Sequence, residues 1–230
     1  MKKILVVISV VIIFTMSFSK FYGWKNSDEY IQSTLKNHLE VGSIIEFGSY
    51  YWRVVDIQEE RALVTTTQII KYSSFDMSSE ISTWEESMVR YWLNNNFLDS
   101  FTIVEQNQIY GKMVENNGNS WFGSPMGFDT FDRIFLFSIS EVLKYFGSEY
   151  YGVIVTEDGD SSIITGLWDE FDSERIVVDA DGNSHWWWLR SPGQQTGMFA
   201  NISVDGSINL QGVSANNRGG VRPAMWLRLE

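Results

Sequence analysis

Ser184-His185-Trp186-Trp187-Trp188-Leu189-Arg190, Met198-Phe199-Ala200-Asn201-Ile202-Ser203-Val204, Ser207-Ile208-Asn209-Leu210 and Gly220-Val221-Arg222-Pro223-Ala224-Met225-Trp226-Leu227-Arg228-Leu229 are the stretches that decide the fold. Each is short, rich in β-branched or aromatic residues and bounded by turn formers, which is the pattern of strands. Gly152 to Thr156 and Glu174 to Asp179 extend this strand-rich tail upstream. The Asp158-Gly159, Asp181-Gly182 and Asp205-Gly206 pairs punctuate it, and the tight flanks of Asp205-Gly206 predict a two-residue hairpin. Neighbouring rings of Trp186, Trp187 and Trp188 point to opposite faces of a strand, so the run predicts core packing on both faces. Were one of those faces open, the rings would form a stacking platform for sugars. Arg190 and Arg222, set in apolar strands, require carboxylate or carbonyl partners.

Upstream, Ile44 to Phe47, Tyr50 to Ile57 and Arg61 to Ile70 read as an antiparallel meander broken at Gly48-Ser49 and at Gln58-Glu59-Glu60. A helical middle follows, marked by three Ser/Thr-x-x-Glu capping boxes that begin at Thr83, Thr102 and Ser138. The first predicts a helix with Trp84, Met88 and Trp92 on one face, ended by Asn94-Asn95-Asn96. The last predicts a helix closed by a left-handed Gly147. Asn116 to Thr130 reads as an excursion loop carrying Trp121, Phe122 and Phe128. Strands, then helices, then strands predict an α+β domain over residues 41–230.

Before that domain, Lys2 and Lys3 precede an apolar run from Ile4 to Phe18, interrupted only by Ser9, Thr15 and Ser17. This is the layout of an export signal over residues 1–19, either cleaved before Lys20 or kept as a membrane anchor with Phe21, Tyr22 and Trp24 at the interface. A linker helix is expected over residues 20–40, with Ser27 as its cap and Tyr30, Ile31, Leu35 and Leu39 at helical spacing. The domain is thus expected outside the cytoplasm, touching a membrane only through that N-terminal segment if it is uncleaved.

Composition removes several functions. The chain has 230 residues, no Cys and two His, His38 and His185. Thiol nucleophiles, disulfides and zinc-thiolate centres are impossible, and imidazole sites are starved. A formal net charge of -12 argues against nucleic-acid binding. Asp179-Ala180-Asp181-Gly182-Asn183 and Glu157-Asp158-Gly159-Asp160 offer the hard oxygens calcium prefers, yet neither fits the full twelve-residue loop and both read first as turns; no other cofactor or metal is expected. His185 reads as a packed or surface residue more readily than as a general base, and no nucleophile elbow or phosphate loop occurs.

Five blocks carry a resemblance: Gly48 to Ile57; Thr83-Trp84-Glu85-Glu86-Ser87 through Arg90-Tyr91-Trp92-Leu93-Asn94; Ile134-Phe135-Leu136-Phe137-Ser138; Trp187-Trp188-Leu189-Arg190-Ser191-Pro192-Gly193; and Gly220 to Leu227. In this order, over about Val41 to Leu229, they resemble domain-of-unknown-function family 6273 of Gram-positive bacteria. The tail, with Ala200-Asn201 and Asn216-Asn217-Arg218-Gly219-Gly220-Val221-Arg222, is similar to the C-terminal part of C-type-lectin-like domains of the formylglycine-generating-enzyme type. That likeness implies a C-type-lectin-like α+β fold, with mixed, mainly antiparallel sheets and two to three helices. It also implies loops that bind ligand on a rigid core. The related enzymes work through a cysteine pair or histidine-rich iron sites, and this chain has neither set.

On these grounds the structural core is expected to contain Trp52, Trp84, Trp92, Trp188, Arg190, Arg222 and Trp226. The ligand face is expected to comprise Gln194, Gln195, Asn201, Ser203, Asp205, Asn209, Gln211, Asn216 and Asn217, with Trp121 and Phe122 as exposed aromatic contacts. The expected function is a non-catalytic, exported binding or adhesion module whose partner is a glycan or a protein at the cell envelope. The alternatives are a cell-envelope hydrolase using an Asp/Glu pair and a structural component of envelope assembly.

Overall fold

The computed structural model describes residues 39–77, 83–125, 127–148, 150–158 and 161–229. The signal or anchor over 1–19, nearly all of the linker helix over 20–40, and Gly159 with Asp160 lie outside the described residues.

The meander forms as β1 (Ile44–Phe47), β2 (Tyr50–Gln58) and β3 (Arg61–Thr66), followed by a short β4 (Lys71–Ser73). Next come α1 (Met88–Trp92), α2 (Ile103–Gln108), β5 (Ile109–Tyr110), β6 (Lys112–Val114), β7 (Thr130–Asp132), β8 (Ile134–Phe135) and α3 (Ile139–Phe146). The tail contains β9 (Gly152–Asp158), β10 (Ser161–Trp168), α4 (Asp172–Arg175), β11 (Trp187–Pro192), β12 (Met198–Ile202), β13 (Ile208–Ser214), β14 (Gly219–Val221) and β15 (Ala224–Arg228). One sheet runs β1-β2-β3-β15-β5, with β8 also on β15; a second runs β4-β14-β11-β12-β13-β10-β9; β6 and β7 form a ribbon. Among the named strands the β11–β14 pairing is parallel, and the others are antiparallel.

This corrects the α+β, C-type-lectin-like expectation: the fold is mainly β, with 41% strand against 17% helix. Among the described residues the helices are too short to make a layer, since the longest of them, α3, has eight residues. Two of the expected capping boxes close reciprocally, at Thr102 with Glu105 and at Ser138 with Glu141. The one at Thr83 does not. The Trp84 indole N–H is drawn to Asp132 Oδ2 at 2.8 Å, and the helix begins only at Met88, capped by the Ser87 hydroxyl. Met88 is therefore exposed rather than in line with Trp84. The chain then continues through Asn94-Asn95-Asn96 as a π turn instead of stopping there. Gly147 is extended, at φ -121°, not left-handed. Asp205-Gly206 does turn a hairpin, but a wider one, because Ser203 N–H donates to Ser207 O and Gly206 N–H donates back to Ser203 O.

One core draws on both larger sheets: Trp52, Val54, Leu63 and Met225 from the first, and Trp187, Trp188, Phe199 and Ile208 from the second, are all about fully buried. The Trp run packs on both of its faces. Trp187 donates to Arg175 O at 3.0 Å, while Trp188 donates to Ser73 O at 2.9 Å and meets Phe75 edge-on. Arg175, fully buried, was not foreseen. Its Nη1 reaches Asp169 Oδ1 at 3.0 Å and Phe146 O at 2.9 Å, and its Nε reaches Gly206 O at 2.7 Å, tying α3, α4 and the β12–β13 turn together. Gly206 is required there: its φ is +89°, and a Cβ would come 1.9 Å from Asp172 O.

The sheets are joined where two segments change sheet side by side. After β3 the chain crosses to β4, and after β14 it crosses back to β15 through Arg222-Pro223. Pro223 O accepts from Thr66 N at 3.2 Å and Thr65 Oγ1 at 3.0 Å, and Ile70 N donates to Val221 O at 3.1 Å. Arg222 Nε donates to Thr66 O at 3.1 Å, and its guanidinium lies over Trp187 (4.9 Å) and Phe146 (5.3 Å). Burial, with the like charge of Arg53 added, pulls this guanidinium down to about 9. It works here as a flat, donor-bearing filler between rings. Arg222→Ala is expected to lose about 4 kcal/mol or more, to the cavity and to the Thr66 carbonyl left without its donor, whereas Arg222→Met, which refills the volume but also leaves that carbonyl unpaired, should lose only about 1–2 kcal/mol in urea unfolding. Equal losses in the two variants would show that the lost donor, not the volume, matters.

Candidate functional site

The Ser138–Glu141 cap does more than start α3. Glu141 Oε2 accepts from Ser138 N at 3.0 Å and also meets Arg190 Nη1, so one carboxylate joins the helix start to β11. Ser191 Oγ accepts from Ile139 N at 3.0 Å, and Arg190 N donates to Phe137 O at 2.9 Å, locking β11 against the same corner. The Arg190 side chain, 3% exposed, also donates to Leu136 O at 2.7 Å and Glu115 O at 3.0 Å. Its Nε–H is buried and has no acceptor. Leaving a donor unsatisfied in the interior costs about 1–3 kcal/mol, and more when it belongs to a charged group.

Arg190 lines a cleft of about 200 Å³ between α3 and the β6 segment. Lys112 and Lys144 flank it, the Ser138 and Ser140 hydroxyls edge it, and Glu115, Glu141 and Tyr145 complete the wall. Three cations thus face two carboxylates in a chain of net charge -12. The Tyr145 hydroxyl, 3.2 Å from Lys144 Nζ, holds that ammonium above its ordinary value, and burial raises Tyr145 itself. Lys112 extends over the Trp226 ring at 5.6 Å. A larger hollow of about 500 Å³ lies by the β2–β3 turn, but its Arg61 and Arg228 are stacked on Tyr110 and none of its lining residues is buried. The smaller cleft is the chemically built one, because a buried guanidinium and two ammonium groups line the same hollow.

The residues expected as core have these positions: Trp52, Trp84, Trp188, Arg190, Arg222 and Trp226 are buried, and Trp92 is half-buried with Lys71 over its ring. The expected ligand residues do not form one surface. Asn201 is buried and accepts from Asn209 Nδ2 at 3.0 Å, while Gln211 Nε2 donates to Gln194 Oε1 at 3.1 Å, so these amides largely serve one another. Gln195, Asn216 and Asn217 are exposed at one end of the β12–β13 pair. Ser203 and Asp205 stand at the other end, about 16 Å away along β12. The Asp205 carboxylate is held low mainly by the Ser207 hydroxyl.

Trp121 and Phe122 are half-buried against the core, with Trp121 edge-on to Tyr151 at 6.1 Å. Their loop is pinned by buried Asn119, whose Nδ2 donates to Leu210 O at 2.9 Å and Pro192 O at 3.2 Å. Asp179 spends its oxygens within its own turn and on Tyr72: Oδ1 accepts from Asp181 N and Asn183 N, and Oδ2 accepts from the Tyr72 hydroxyl. His185 Nδ1 lies 2.9 Å from Trp186 O, and the ring packs on Tyr72.

Lys112, Lys144 and Glu115 were not singled out from the sequence, since they lie on separate elements and no local motif joins them. Arg190 was expected only as core. The Ser138–Glu141 box was the readable signal, because its carboxylate is the group that meets Arg190. Glu141→Gln keeps the side-chain length but weakens both the cap and the charge opposite Arg190, and should cost about 2 kcal/mol in denaturant unfolding at neutral pH. A change under about 0.5 kcal/mol would mean that Glu141 does not hold Arg190.

No curated protein and no solved structure matches the chain. A family model described as a domain of unknown function, DUF6273, matches residues 59–229, from the β2–β3 turn to just past β15 and including every wall of the cleft. The chain belongs to the DUF6273 family.

Proposed function

We propose that this domain is a non-catalytic binding module, exported to the bacterial cell surface, that takes a small anion in the Arg190 cleft. The ligand class is a carboxylate-bearing sugar end. The observation that carries this reading is a cleft lined by Arg190 and flanked by Lys112 and Lys144, three cations set against two carboxylates. A carboxylate held there lies among two ammonium groups and a guanidinium, while the Ser138 and Ser140 hydroxyls are of the type that orients sugar hydroxyls. The volume is below the roughly 300 Å³ at which drug-sized ligands begin to fit, so the ligand is one ring or the end of a chain. Glu141 is committed to Arg190 and to the helix cap, which favours holding a ligand over proton transfer. Support for export comes from Lys2, Lys3 and the apolar run Ile4 to Phe18.

Calorimetric titration of the full chain with D-glucuronate and with D-glucose tests the proposal, since the two differ chiefly in the carboxylate. Glucuronate is expected to bind and glucose not to. The double variant Lys112→Gln/Lys144→Gln should weaken glucuronate binding by roughly tenfold, about 1.4 kcal/mol. Equal responses to the two sugars, or full affinity in the double variant, would overturn the assignment.

A further inference from the structure

The second sheet ends on β9, and its open side differs from every other sheet edge among the described residues. β1 has four residues including Glu46, β4 has three including Lys71, β5 and β8 have two each, and β6 and β7 of the ribbon have three each, with Lys112 and Asp132 among them. These edges are short or charged, as edges that must not pair usually are. β9 has seven residues, and its stretch Gly152-Val153-Ile154-Val155-Thr156 contains no charge and no proline. One side of β9 pairs with β10 from Gly152↔Trp168 to Asp158↔Ser161. The other side presents main-chain N–H and C=O groups to whatever lies beyond the sheet.

Its side chains are apolar and open on both faces. Val153 and Val155 are 39% and 49% exposed, and Ile154, on the opposite face, is 36% exposed. Trp168 lies across Gly152, whose Cβ would meet the indole at 2.3 Å, and is itself 53% exposed. Tyr150 and Tyr151 extend the apolar surface at the strand's start, where Tyr151 meets Trp121. Exposed, uncharged and β-branched, this is the type of segment that pairs with another strand.

Charge identifies the partner. From Tyr145 to Glu174 the sequence has no Lys, Arg or His, while acids run through it, with Glu157 exposed on β9 itself and Glu170 exposed just past β10. A second copy would bring two such acidic ribbons edge to edge with no cation on either to offset them. An extended segment with lysine or arginine among β-branched residues meets the acids with opposite charge and the apolar side chains with its own.

We propose that β9 is a docking edge at which an extended, basic and β-branched segment of another polypeptide adds as an eighth strand. This site uses residues unrelated to the Arg190 cleft and stands or falls separately from it. The partner's main chain completes the open ladder, its apolar side chains cover Ile154 with Trp168 on one face and Val153 with Val155 on the other, and its cations pair with Glu157.

The test titrates the full chain with the capped peptide Lys-Val-Thr-Ile-Lys-Val-Lys and follows peptide anisotropy together with hydrogen exchange at the β9 amides. Binding is expected, with exchange at β9 slowed by roughly tenfold or more. The same peptide N-methylated at alternate residues keeps its side chains but cannot complete the ladder, and it should not bind. Replacing its lysines with glutamate should also abolish binding. The variant Val153→Lys/Val155→Lys, which changes only exposed side chains, should keep its melting temperature and lose roughly tenfold or more in affinity. Unaltered binding of the methylated peptide, or of the glutamate peptide, overturns the proposal. So does a concentration-dependent dimer with β9 already protected in the absence of peptide, which would assign the edge to a second copy.

Discussion

Two segments change sheet at the same point, and the groups their strands leave unpaired must be satisfied inside the core. Proline at 223 has no N–H to offer, so the return crossing lacks a donor where Thr66 O needs one. Arg222 Nε supplies it, and Pro223 O in turn takes both Thr66 N–H and the Thr65 hydroxyl. Among the described residues no carboxylate lies within ion-pair distance of Arg222, so its charge is accommodated by the faces of Trp187 and Phe146. The arrangement is costly in desolvation, and it persists because a smaller or non-planar donor would leave either a void or an orphaned carbonyl between two rings. Separating the crossings would detach the front meander from the seven-stranded sheet, and with it the shared core.

The cleft inherits its rigidity from the same corner. Phe146, beneath Arg222, ends the helix that Ser138 begins, and Glu141 on that helix holds Arg190. Arg175 closes the other end of α3 through Phe146 O and its pair with Asp169. A helix of eight residues would not be stable alone, being shorter than the about 12–15 residues that isolated helices need. Buried guanidinium groups beside both its ends and its cap hold it in place, and the groups of the cleft are thereby pre-positioned instead of being ordered by a ligand.

Much of the strand pattern was readable because β-branched and aromatic runs between turn formers have few other uses, and the Thr102 and Ser138 boxes closed, the second even though Glu141 also meets Arg190. At Thr83 a long-range network prevails: Asp132, brought in by β7, takes the Trp84 indole N–H and Arg90 Nε together, and the local box does not form. Thr83 Oγ1 is left without a partner as a result. Pro223 in the sequence was already reason to break the last strand in two, though nothing local said that the halves belong to different sheets. The fold class went wrong for a related reason. Helix-forming signals mark where helices start, not how far they run, and these stop after one or two turns. The cleft was illegible because Lys112, Glu141 and Arg190 meet only through the packing of three elements far apart in the chain. The mutual bonding of Asn201 with Asn209 and of Gln194 with Gln211 likewise depends on a strand register that the sequence does not state.

The distribution of charge gives the two surfaces opposite characters under one net charge of -12. A ligand carrying a negative charge approaches a molecule that repels it at long range and attracts it only within the reach of Lys112, Lys144 and Arg190. At physiological ionic strength the Debye length of about 8 Å removes most of that repulsion while leaving the short contacts in the cleft intact. Moderate salt should therefore help a small anion to arrive more than it weakens the complex. At the β9 edge the balance runs the other way. A basic segment is drawn in by the same field that hinders the anion, so screening slows its arrival, while the main-chain ladder and the apolar contacts that hold it are insensitive to salt. Opposite salt dependences on one domain follow from where its cations lie, since three of them line one cleft and none falls on the ribbon that closes the larger sheet.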